Sequence, residues 1–99
     1  MRVRMITVEP YRFIEMESTG KDGQKFYVNM GLPENDGEKL ERVFEDNVWC
    51  YNKPFTEIDF NSNEIPYFWN EESDEVADKL LNIWNSNPHF DESGWKEVD

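Results

Sequence analysis

The sequence predicts an α+β fold: an antiparallel β-meander of about three to four strands with two helices packed on one face. Three observations predict it. β-branched residues crowd the first third of the chain, and turn chemistry follows them at Asp22-Gly23. Two later segments carry apolar residues at helical spacing, with acids in their first turns. Seven Phe, four Trp and four Tyr in 99 residues supply apolar area for one core, since each ring buries roughly 150–250 Å². A chain of this length has room for one domain, 1–99, with 85–99 expected as a loosely ordered tail.

The elements follow in order. Residues 3–8 (VRMITV) are strand-rich, and Pro10 closes them. Along 11–17, Phe13 takes one face while Ile14 and Met16 take the other. Asp22-Gly23 can adopt the positive backbone angles of a hairpin loop. The strand over 25–30 sets Phe26, Val28 and Met30 against Lys25, Tyr27 and Asn29. A two-stranded hairpin is marginal alone, so the first strand is expected to complete a meander. After Gly31-Leu32-Pro33, residues 36–46 read as a helix with Asp36 as N-cap and Leu40, Val43 and Phe44 on one side. A strand is predicted over 48–51 and a short edge strand over 55–60, with Pro54 and Pro66 interrupting the segment. Ser73 is predicted to cap a second helix reaching about Asn85, whose stripe is Val76, Leu80, Ile83 and Trp84. Asn87-Pro88 ends it.

Charge excludes several function classes. Twenty-two acids against ten Lys and Arg give a formal net charge of -12, which disfavours direct nucleic-acid binding and docking on an anionic membrane. No apolar run is long enough for a membrane span, and MRVRMITVEP has no signal-peptide core, so a cytoplasmic protein is expected. A single cysteine, Cys50, fits a reducing compartment and reads as a small buried hydrophobe. His89 is the only histidine and reads as a loop residue, so no His pair or Cys-His cluster can form within one chain. Asp59, Asn61 and Asn63 resemble the start of a calcium loop, but Glu64 replaces its turn glycine and Asn70 its bidentate carboxylate. No catalytic residue, metal site or cofactor is therefore assigned.

The acidity is unevenly placed. Residues 1–49 carry ten acids and seven bases, whereas 50–99 carry twelve acids against Lys53, Lys79 and Lys96. Helical spacing stacks Glu71 with Glu75 and Asp74 with Asp78, and Glu57, Asp59 and Glu64 are expected to extend that patch. Tyr67, Phe68 and Trp69, just before the second helix, are candidate aromatic anchors. Trp95 sits in a polar tail with no evident core partner.

Residues 32–44, LPENDGEKLERVF, resemble the segment of barstar, the ribonuclease inhibitor, that leads into its inhibitory helix. The same pattern spells an ordinary capped helix, and the hairpin before it departs from barstar's helix-rich start. What the likeness implies is an analogy: small acidic proteins often inhibit basic enzymes that handle nucleic acids. The expected function is accordingly a DNA-mimic inhibitor, a monomer or homodimer, of the anti-CRISPR or anti-restriction kind carried by phages and mobile elements. In that case the site of action is the host cytoplasm, and the partner is a basic nucleic-acid-binding protein such as a nuclease. The alternatives are an immunity protein against a basic toxin nuclease, or a housekeeping or structural phage adaptor whose acidity serves solubility.

Overall fold

Alternation in the first strand already sorts the two faces of the sheet. In β1 (Arg2–Val8), Val3 and Met5 are buried toward one side, and Arg2 and Arg4 lie on the other. The computed structural model describes residues 1–33, 48–62, 71–86 and 94–98 and carries this alternation across the sheet. β2 (Tyr11–Thr19), β3 (Lys25–Gly31) and β4 (Val48–Tyr51) continue β1 as an antiparallel meander. β5 (Lys96–Glu97) returns to the other side of β1, giving the order β4-β3-β2-β1-β5.

The fold is α+β with an antiparallel sheet, but among the described residues the sheet has five strands rather than three or four. The added strand comes from the C-terminal end, where Glu97 pairs with Arg2, Lys96 pairs with Val3, and the Val98 N–H donates to the Met1 carbonyl at 3.0 Å. Two polar residues carry no periodicity of their own, so only the pairing partner makes them a strand.

The β2–β3 turn forms where Asp22-Gly23 predicts it. Gly23 adopts φ +83°, and the Gln24 N–H donates to Asp22 Oδ1 at 3.0 Å. The turn holds Met16 opposite Val28 and Ile14 opposite Met30. One register step would move every one of these side chains to the other face.

On that face lies α1 (Glu71–Ser86), which buries Val76, Ala77, Leu80 and Trp84 among Val3, Ile14, Met16, Val28 and Cys50. The helix begins two residues before the expected Ser73 cap. Ser73 is instead fully buried inside the first turns, where its hydroxyl donates to Cys50 Sγ at 3.4 Å. Glu71, Glu72 and Asp74 occupy the first turn, where the helix dipole favours anions. The other predicted helix, 36–46, lies outside the described residues. Among the described residues, no helix is long and apolar enough to cross a membrane.

On the opposite face, the described residues that follow β4 form a loop. The edge strand expected over 55–60 is a single 3-10 turn, Phe55–Glu57, followed by irregular backbone. Three of its N–H groups are engaged locally: Phe55 donates to Glu15 Oε2 at 2.8 Å, Glu57 to the Pro54 carbonyl at 2.9 Å, and Ile58 to the Phe55 carbonyl at 3.4 Å. A ladder strand would need those donors for a neighbour.

Candidate partner-binding surface

The outward side of α1 concentrates the anions. Glu71, Glu75 and Asp78 are exposed, and Glu72 and Asp74 are half-buried. Glu71 and Glu75, like Asp74 and Asp78, stand one turn apart, about 6 Å along the helix axis. Glu72 is tied back to the sheet, its Oε1 accepting the Lys21 N–H at 3.0 Å. Lys79, half-buried, is the one cation in the helix sequence.

Glu57 and Asp59 are also exposed, but they belong to the segment on the far face of the sheet. The sheet therefore separates them from the carboxylates of α1, and they do not extend that patch. Glu64, Tyr67, Phe68 and Trp69 lie outside the described residues.

The far face also holds what the sequence reading missed, a ladder of ion pairs across β1, β2 and β3. Arg2 Nε and Nη2 donate to the two oxygens of Glu17 at 2.9 and 2.6 Å. Arg4 approaches Glu15 Oε1 through Nε at 2.7 Å and Nη2 at 2.6 Å. The Tyr27 hydroxyl adds a bond to Glu17 Oε2 at 3.0 Å. Trp95 closes over both guanidinium groups, with its ring centre 4.3 Å from Arg4 and 4.9 Å from Arg2. A signal for this was present: Arg-x-Arg on one strand and Glu-x-Glu on the next are complementary at period two. It becomes readable only once Arg2 is known to face Glu17 and Arg4 to face Glu15.

These contacts shift the acids in opposite directions. Hydrogen bonds from Arg2 hold Glu17 below its ordinary range, helped by Tyr27 and opposed by burial. Burial raises Glu15 despite the Phe55 N–H and Arg4. Burial and the Glu17 carboxylate push Tyr27 up to about 12. Because the folded pKa of Glu17 is depressed, its contribution to stability is present at neutral pH and disappears as pH falls through that value. Glu17→Gln should cost about 1.5–3 kcal/mol at pH 7 and flatten the acid limb of the stability curve. Urea denaturation between pH 3 and pH 7 checks this, and an unchanged acid limb would contradict it.

The other titratable candidate is inert. Burial drives the Cys50 thiol up to about 11, so it stays protonated at neutral pH. Among the described residues, no group of three or more His, Cys, Asp or Glu side chains could hold a metal ion. Comparison of the chain with protein families, with curated proteins and with solved structures returns no match.

Proposed function

We propose that this protein is a non-enzymatic acidic inhibitor that occupies the basic nucleic-acid-binding surface of a partner, the exposed carboxylates of α1 standing in for phosphates. The observation that supports this best is the sorting of charge. The arginines of β1 are engaged by Glu15 and Glu17 on one face of the sheet, while the acids of α1 stand on the other.

Magnitudes favour the helix face over the average surface. Spread evenly over roughly 6,000 Å², the net charge would amount to about one per 500 Å². Duplex DNA, about 10 Å in radius, carries one phosphate per roughly 100 Å². From Glu71 to Asp78 the helix rises about 10 Å, and its outward half offers on the order of 160 Å² to the three exposed carboxylates of Glu71, Glu75 and Asp78. That is about one per 50 Å², denser than the nucleic acid it would displace. Restriction and CRISPR nucleases are the class of partner whose grooves match such a face, and a phage or mobile element is the expected carrier.

Glu75→Lys with Asp78→Lys tests the reading, since both residues are exposed and lie beyond the first turn. Association with a basic nuclease recovered from host lysate should slow about tenfold or more at low salt. The difference should vanish near 1 M salt, where the screening length is about 3 Å. Equal rates for the variant and the parent protein would contradict the proposal.

A further inference from the structure

The sheet face opposite α1 carries a shallow bowl of about 260 Å³ lined by Phe13, Trp49, Tyr51, Phe55 and Phe60. Phe55 sits at its centre, with ring centres 5.0 Å from Phe13, 5.2 Å from Phe60 and 6.4 Å from Tyr51. Phe13 and Trp49 meet edge to face at 5.9 Å, as do Tyr51 and Phe60 at 6.1 Å. Three separate stretches of chain thus converge on one apolar depression. Phe60 remains 46% exposed at its edge.

We infer that this bowl receives an arginine side chain presented by the basic partner. The inference rests on the proposed function for the charge of that partner and is independent of which residues of α1 it touches. Charge complementarity selects the occupant. The segment that brings Phe55 and Phe60 to the bowl runs Phe-Thr-Glu-Ile-Asp-Phe, so the exposed carboxylates of Glu57 and Asp59 lie in sequence between its two rings. Aromatic faces attract cations through their quadrupole, and guanidinium stacks on them more often than ammonium does. The protein already shows this chemistry on the same side of the sheet, where Trp95 covers Arg2 and Arg4.

The test is an NMR titration of the full chain with acetyl-Gly-Arg-Gly-amide and with the same peptide carrying citrulline, the uncharged isostere of arginine. The arginine peptide should shift the ring signals of Trp49 and Phe60 and bind about five- to tenfold more tightly than the citrulline peptide. Phe60→Leu keeps apolar bulk and removes the ring, and it should weaken the arginine peptide about two- to fivefold. Unmoved Trp84 signals would verify that this variant is folded. Equal binding of the two peptides, or shifts confined to α1, would overturn the inference. Arginine binding in the bowl together with an inert Glu75→Lys, Asp78→Lys pair would instead remove the α1 reading and leave the bowl standing. The converse result would remove the bowl alone.

Discussion

Alanine in place of Trp84 should lower folding stability by about 3–5 kcal/mol. Trp84 is 1% exposed and is the largest fully buried side chain among the described residues. It sits near the end of α1 in the cluster that includes Val3, Ile14, Met16 and Leu80. Removing the indole takes away both its transfer free energy and the contacts of the atoms that lined it, and strand backbones cannot collapse into the gap. A domain of this size has about 5–15 kcal/mol in total, so the loss is a large part of it. Urea denaturation should show a much lower midpoint with little change in slope. A loss under about 1 kcal/mol would mean that α1 does not pack on the sheet through this residue.

Glu15→Ala should cost a comparable amount, about 3–5 kcal/mol, by a different route. The Glu15 side chain is fully buried and accepts bonds from Arg4 and from the Phe55 N–H, while the Arg4 side chain is only 15% exposed. Alanine leaves a largely buried guanidinium and a backbone donor without their acceptor. The penalty lies in the orphaned groups, so a paired replacement should behave differently. Glu15→Leu combined with Arg4→Met removes both charges and should recover most of the loss. Glu15→Gln keeps an acceptor for Phe55 and should fall between. Because burial holds the Glu15 pKa above its ordinary value, deprotonation opposes folding there, and this group's contribution weakens as pH rises through the folded value. If the double variant were no more stable than Glu15→Ala, the ion-pair account of this face would be wrong. Hydrogen exchange at the Phe55 amide would show the same damage locally, since Glu15 holds the turn that carries Phe55.

Local rules made part of this legible. The four long strands and the α1 stripe follow from side-chain periods of two and 3.6, and the hairpin follows from the backbone freedom of Gly23. The anionic face of α1 was readable for the same reason, because residues four apart on a helix are neighbours whatever the tertiary fold. What escaped depends on partners distant in sequence. Lys96 and Glu97 are a strand only because β1 offers them an edge. Phe55 leaves the ladder because the Glu15 carboxylate, forty residues earlier, takes its N–H. Ser73 has the chemistry of a helix cap, yet burial against Cys50 places it inside the helix. The aromatic bowl joins residues from β2, β4 and the 55–60 segment, a juxtaposition that no window of sequence contains.

The central claim is that the anionic face of α1 takes the place of nucleic acid on a basic protein. The most direct measurement is competition: a fluorescently labelled duplex bound to the recovered nuclease, titrated with this protein at 50 mM and 200 mM salt. The account predicts that the duplex is displaced stoichiometrically, that displacement weakens steeply between the two salt concentrations, and that Glu75→Lys with Asp78→Lys abolishes it at low salt. A ternary complex in which this protein binds tightly while the duplex stays in place would contradict it.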